Sequence, residues 1–370
     1  MEDELFLTVN DQAISGWTHI RVSRGIERCP SDFDIGFTER FPGEAAAVIA
    51  KPGDPCVVKL AGDVVLTGYV DRLNINMDNG AHTLAMVGRS KCADVVDCSA
   101  EWPSFQIVNC NALAIATKLA GRYGIKVTAT GQKGPVLDQF NLLHGERVWD
   151  VIERACRWSA LLVYDQPDGN LLLTNAGSFR AASGVRQGDN VQSAAVTFGH
   201  DQRFSNYRCF QQSVEVMNDV GDGGNLVGVA EDPEIERYRL LEFVTEAPHL
   251  GRDFNQRRAT WEMNRRMARS TVLQVTVDSW RDSDGRLWEP NTLVPVEMPG
   301  SKLGDIGAPV EMIVAAVSYQ RDPTGGTTAH LTLMPPKAFD PMPVLQFNKF
   351  GDVAPKPGSP AMLWGIEGQR

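Results

Sequence analysis

The sequence has no Cys-x-x-Cys pair, no basic leader, no uninterrupted apolar run as long as a membrane-spanning helix, and no surplus of positive charge. Each absence removes a class of function. The seven cysteines (Cys29, Cys56, Cys92, Cys98, Cys110, Cys156 and Cys209) are odd in number, so neither a disulfide framework nor a zinc ribbon is indicated. Free thiols made in a reducing cytoplasm are expected. The N-terminus, Met1-Glu2-Asp3-Glu4-Leu5, is acidic where a secretion signal would be basic, and nothing targets the chain to a membrane. A net charge of -10 gives no attraction for a phosphate backbone, which excludes a simple nucleic-acid binder. Contact with DNA would have to be non-adhesive.

Catalytic signatures are missing too. There is no Gly-x-Ser-x-Gly elbow, no His-Glu-x-x-His and no cysteine with an identifiable histidine partner. His144-Gly145-Glu146 matches half of a zinc-deaminase signature, but no Pro-Cys-x-x-Cys follows and the stretch reads as a helix-start turn. Asp282-Ser283-Asp284-Gly285 lacks the remaining ligands of a calcium loop and reads as a β-turn. Gly221-Asp222-Gly223-Gly224 has no following Lys-Ser/Thr and reads as a flexible loop rather than a phosphate cradle. The 46 acidic residues supply too many accidental carboxylate pairs for spacing to single out a glycosidase. His82 and His330 are expected at equivalent places in two strands, as structural side chains. No catalytic, cofactor-binding or metal-ligating residue is expected.

What is present points to β structure. With 370 residues, 43% hydrophobic and 22% charged, the chain is globular and long enough for two or three domains, and its 34 Gly and 21 Pro favour turns over long helices. Residues 1–98 read as short alternating segments such as "PCVVKLAG", "VVLTGYVDRLNINMD" and "AHTLAMVG", broken by Pro52-Gly53-Asp54 and Asp78-Asn79-Gly80, the pattern of a first antiparallel barrel. Residues 99–184 change character. "NCNALAIATKLAGRYGI" predicts a helix capped by Asn109 or Asn111 and stopped at Gly124. "GERVWDVIERACRWSA" predicts another, with Val148, Ile152 and Ala155 on its buried stripe. "LLVYDQPDGNLLLTNA" follows as two strands around Pro167-Asp168-Gly169, completing an α+β insertion.

Residues 185–336 return to β segments, interrupted by a polar, Gly-rich mobile loop over 219–234 and a helix over 252–268. That helix carries Phe254, Trp261 and Met267 among many arginines, predicting one narrow packed face. Residues 337–370 form an extended Pro- and Gly-rich tail that cannot build its own core. The segments "CVVKLAG…DVVLTGYVDRLNINMDNGAHTLAM" and "LVPVEMPG…APVEMIVAAVSYQRDPTGGTTAHLTLM" share one order of strand, turn, longer strand, loop and strand. The shared Ala-His and Thr-Leu dipeptides give two alignments one residue apart, and such a slip exchanges the buried and exposed faces. The fold class expected is therefore mainly β: two related antiparallel, tube-like β-barrels, a small α+β domain between them and an extended C-terminal tail.

Three stretches, "VVLTGYVDR", "ERVWDVIERACRWSALLVYDQPDGNLLL" and "RRATWEMNRRMARSTVLQVTVDSWRDSDGRLWEPNTLVPVEMPG", resemble the baseplate hub proteins of contractile-tailed phages, above all the Mu-like group. The turn Gly285-Arg286-Leu287-Trp288-Glu289-Pro290-Asn291 is the most specific of these likenesses. Late-control D-type tail proteins, the T4-like hub and the hub part of type VI secretion spikes are more distant ones. The resemblance implies a virion structural protein assembled in the bacterial cytoplasm. It implies a homotrimer that adapts a hexameric tail tube to a trimeric spike, touches other baseplate proteins and leaves a pore through which DNA passes without specific binding. The alternatives are a baseplate-associated cell-wall-degrading enzyme, for which no extra module can be placed, and a type VI-like spike component. The latter usually fuses a needle of repeated β segments, and here the needle is expected to be a separate protein.

Overall fold

In a computed structural model of the chain, the structure describes residues 4–14, 16–37, 50–79, 82–212, 225–245 and 252–343. The first part runs β1 (Leu5–Val9), β2 (Gln12–Ile14), β3 (Trp17–Gly25), β4 (Arg28–Phe37), β5 (Pro55–Leu60), β6 (Asp63–Met77) and β7 (His82–Ser90). Next come α1 (Ala93–Asp97), β8 (Gln106–Cys110), α2 (Ala112–Ala120), β9 (Val127–Ala129), β10 (Leu137–Asn141), α3 (Val148–Trp158), β11 (Leu162–Asp165) and β12 (Leu171–Thr174). Then follow β13 (Phe179–Arg180), β14 (Val185–Arg186), β15 (Val191–Phe198), β16 (Asn206–Gln212), β17 (Asn225–Glu231) and β18 (Leu240–Val244). The last part contains α4 (Arg252–Arg269), β19 (Thr271–Val277), β20 (Thr292–Glu297), β21 (Val310–Asp322) and β22 (Gly326–Met334).

The fold class is the expected one, mainly β with a small α+β unit, but the two β halves are not separately closed. A single sheet runs β15-β19-β22-β21-β3-β4-β7-β6-β5-β1-β2, and β20 joins it at β21. The halves meet where β21 pairs with β3, from Ala316 opposite Gly25 to Arg321 opposite Ile20. They also share one core. Val22, Phe33, Val58 and Met86 from the first half cluster with Leu273, Trp280, Val294, Tyr319 and Leu331 from the second. Alternation along each strand sends these side chains to one face, and burial of that face is the main stabilising term.

The β6–β7 and β21–β22 hairpins carry the same irregularity. The ladder of β6 and β7 shifts register after Val70 opposite Gly88, and that of β21 and β22 after Val314 opposite Leu333. Aligning the two bulges places His82 against Thr327, not against His330. The Ala-His likeness is therefore not a structural equivalence. His330 points away from the core between buried Ala329 and Leu331, whereas His82 lies on the same face as buried Leu84. The Thr-Leu alignment keeps inward residues inward but misses the register set by the bulges.

The α+β insertion has its own core, built from Ile115, Leu119, Phe140, Val151, Ile152, Ala155, Leu171 and Leu173. Asn111 caps α2 by accepting the Ala114 amide at 2.9 Å, and Gly124 ends the following 3-10 turn in the left-handed region at φ 67°. Val148, Ile152 and Ala155 are buried as the helical spacing predicts. β11 and β12 form the expected hairpin, and β9 adds in parallel to β12. Asp165 fastens this unit to the large sheet, accepting both the backbone N–H and the hydroxyl of Ser31 at 2.9 Å.

Two expectations fail in the segment before β19. The tract read as a mobile loop over 219–234 contains β17, which pairs with β16 from Asn206 opposite Glu231 to Gln212 opposite Asn225. Its first residues, with Gly221-Asp222-Gly223-Gly224, lie outside the described residues. Nor does α4 pack by a narrow face. One side lies on β16 and β17 through Ala259, which clusters with Tyr207, Cys209 and Ala230, while the other meets the 3-10 turn Pro336–Phe339, where the Arg269 guanidinium donates to the Ala338 carbonyl at 3.1 Å. Hydrophobic pattern missed this because arginines stack on rings: Arg258 and Arg265 flank Trp261, and Arg266 covers Phe204. Of the tail, Ala338 and Phe339 are buried against Ile26, Tyr164 and Ile313; residues 344–370 lie outside the described residues.

Close packing of α4 on β17 depends on Gly228. A Cβ there would lie 2.2 Å from the Asn255 carbonyl carbon, so only hydrogen fits. Gly228→Ala is expected to destabilise the protein by roughly 1–3 kcal/mol in denaturant unfolding. Gly121→Ala, where a Cβ meets nothing within 4 Å, is expected to be neutral or slightly stabilising.

Candidate assembly surface

Eight strands of the large sheet, β15-β19-β22-β21-β3-β4-β7-β6, pair antiparallel throughout. One face is the core. The other carries small and polar side chains: Gln274 and Thr276 on β19, His330 and Thr332 on β22, Ser318 and Gln320 on β21, Arg21 and Ser23 on β3, Asp32 and Asp34 on β4. Several charges on this face are arranged in pairs. The Arg21 guanidinium donates to Asp32 at 2.9 Å and Arg28 also meets Asp32, while Arg89 bridges Asp71 and Asp97. The two carboxylates hold the Arg89 guanidinium more firmly protonated than usual. Such cations are already neutralised and offer little to a phosphate.

Both ends of this eight-strand path are open among the described residues. β15 pairs only with β19, and the second half of β6, Asp71–Met77, pairs only with β7 because β5 covers β6 no farther than Tyr69. Each open edge carries apolar side chains on the core side: Ile75 is 54% exposed and Met77 78% on β6, and Phe198 is 59% exposed on β15. An open, apolar strand edge is a template for pairing with another chain.

The turn Gly285–Asn291 binds the parts together. Asn291, fully buried and left-handed at φ 67°, donates to the Tyr164 hydroxyl at 3.3 Å and the Asn175 carbonyl at 2.9 Å, and accepts the Gly177 amide at 2.7 Å. Trp288 packs in the core and its carbonyl accepts the Tyr319 hydroxyl. Arg24, 3% exposed, lies 3.7 Å from Glu289. Nearby, the Trp280 indole donates to the Gln320 and Thr328 carbonyls at 3.0 Å, and the Arg281 guanidinium donates to the Leu60 carbonyl at 3.1 Å. No sequence period flags Arg24 or Trp280, because each acts through contacts distant in the chain.

The fragments that resembled catalytic motifs have structural partners. Glu146 accepts the Leu143 amide at 2.9 Å and pairs with Arg154 at 2.8 Å, so it shapes the start of α3. Asp282 accepts the Asp284 and Arg286 amides at 3.0 and 2.9 Å, closing a β-turn. His144 stacks on Phe105 with ring centroids 4.1 Å apart. Burial pushes the Cys56 and Cys156 thiols up to about 12 and Cys209 up to about 11, leaving them protonated and unreactive. The described residues place no three His, Cys, Asp or Glu side chains where they could hold a metal ion, and no described helix is long and apolar enough to cross a membrane.

A sheet with one core face, one charge-paired polar face and two open edges defines a structural component of an assembly. Three domain families match in order: the Mu phage baseplate assembly protein GpP-like N-terminal domain over residues 4–90, the second domain of the baseplate hub protein gp44-like group over 92–175, and the GpP fourth domain over 252–342. The baseplate hub protein gp44 of Escherichia phage Mu is 27% identical over 347 residues, 92% of this chain and 89% of that protein. The crystal structure of the 43 kDa tail protein of prophage MuSo2 from Shewanella oneidensis is 30% identical with a TM-score of 0.81, covering 92% of this chain and all of that one. A tail protein from Neisseria meningitidis shares the fold at 20% identity and a TM-score of 0.77, over 92% of this chain and 99% of its own. The chain belongs to the Mu-like baseplate hub family. It is a baseplate hub protein of a phage tail and part of the virion.

The polar face also titrates. Desolvation pushes the His330 imidazole below its ordinary value, with the Thr276 hydroxyl 3.2 Å from its Nδ1. Its folded pKa lies below the unfolded one, so the associated stability is present above the unfolded pKa of roughly 6.5 and is lost as pH falls below it. Melting temperature is expected to decline between about pH 7 and 5, and His330→Gln to flatten part of that decline.

Proposed function

We propose that the chain assembles as a homotrimer whose sheets join edge to edge into one ring, adapting a hexameric tail tube to a trimeric spike. The observation that carries this reading is the eight-strand antiparallel path with two open edges. Seven antiparallel steps make β15 and β6 run in opposite directions, so copies related by rotation about an axis along the strands bring β6 of one beside β15 of the next in antiparallel orientation. Two related half-sheets per chain, three chains per ring, give six similar contacts toward a tube and threefold contacts toward a spike. The polar face then lines a channel, and its paired charges let DNA pass without adhering.

In this reading residues 1–98 and 185–336 are the two tube-like units and residues 99–184 dock other baseplate components. The tail over 337–370, with Phe339 buried near its start, serves contact with a partner such as the spike. The role is structural and non-enzymatic. Native mass spectrometry and light scattering on the purified full chain, alone and with separately produced spike protein, provide the test. A trimer in either setting is expected; a monomer that never trimerises in either overturns the reading.

A further inference from the structure

We infer that the β6–β7 hairpin of one copy inserts Met77 into a cavity beside the indole of Trp288 in the next copy. The inference rests on the ring reading above and names the residues that make its joint. The cavity has a volume of about 620 Å³; Val185, Val277 and Trp288 line it together with the charged Asp189 and the Arg186–Glu297 ion pair. It lies at the start of β15, where Val191 pairs with Val277.

Three independent observations converge there. The first is direction. Because a neighbouring β6 runs antiparallel to β15, the end of β6 at Met77 comes beside the start of β15 at Val191, and the free stretch Asp71–Met77 nearly matches the eight residues of β15. The second is facing. Ile75 lies opposite core residue Leu84, and Met77 alternates with it on the same side. On β15, Ala194 and Val196 lie opposite core residues Val275 and Leu273. Side chains directly opposite in a pair share a face, so Ile75 and Met77 arrive on the side where the cavity opens. The third is exposed apolar surface. Trp288 is 2% exposed and lines the cavity, and Met77 is 78% exposed in the single chain, so inserting it removes an apolar side chain from water. A thioether packs well on an indole ring.

The test uses the full chain. Met77→Asp is expected to weaken self-association by at least about tenfold in sedimentation or light scattering, with melting of the single chain unchanged because Met77 is exposed. Met77→Leu is expected to associate nearly as the parent does. Benzoylphenylalanine placed at position 77 should cross-link between chains to peptides containing Val277–Ser279 or Trp288. A Met77→Asp chain that trimerises like the parent, or a trimer whose cross-links map elsewhere, overturns the insertion while leaving the ring reading intact. A parent chain that never associates, alone or with the spike, overturns both.

Discussion

Antiparallel pairing of β21 with β3 is the constraint on which the rest depends. It joins residues nearly three hundred positions apart, such as Ser23 and Ser318, whose hydroxyls lie 3.1 Å from each other. Without it the two halves would each present another open edge and an incompletely covered core. With it, their inward faces merge into a single hydrophobic cluster, and along the eight-strand path the outer edges at β15 and the second half of β6 remain open among the described residues. The closure entropy of so long a loop grows only slowly with length, so the intervening insertion is tolerated once the joint is well packed.

Much of the fold was legible from residue pattern, because the strands are half-buried and their period of two is written in alternation such as "CVVKLAG" and "AHLTLM". The α+β insertion was legible for a different reason: its caps and turns, Asn111, Gly124 and Pro167-Asp168-Gly169, are local chemistry that needs no distant partner. What could not be read is what depends on long-range contact. That β17 is a strand follows from its pairing with β16 and from Gln256, whose side-chain amide donates to the Val229 carbonyl at 2.6 Å and accepts the Val229 amide at 3.1 Å. Composition alone makes that tract a polar loop. The likeness of the two Ala-His fragments misled because identity was short, while the true correspondence lies in the bulges after Val70 and Val314.

The candidate surface divides in the same way. Family resemblance located the Gly285–Asn291 turn as distinctive, and its structural role explains why: a buried left-handed Asn291 can satisfy three polar groups of the insertion from one position, which an apolar residue cannot do. On α4 a comparable economy is reached with charge. Burial pushes the Glu262 carboxyl up, but Arg258 and Arg266 outweigh it and hold it below its ordinary value, so a helix dense in arginine still packs on both sides. Arg203 extends the network with a bidentate pair to buried Asp232.

The unbroken ladder across β21 and β3 has a mechanical consequence. Its hydrogen bonds lie across the strands, so a pull directed along them loads the whole ladder in shear, whereas a pull across the sheet peels one rung at a time. The halves are thus stiffest against axial load and weakest against splaying. The Trp288–Asn291 turn and the Phe339 plug sit where they resist splaying, bracing the insertion and α4 against the seam from the side the rungs cannot protect.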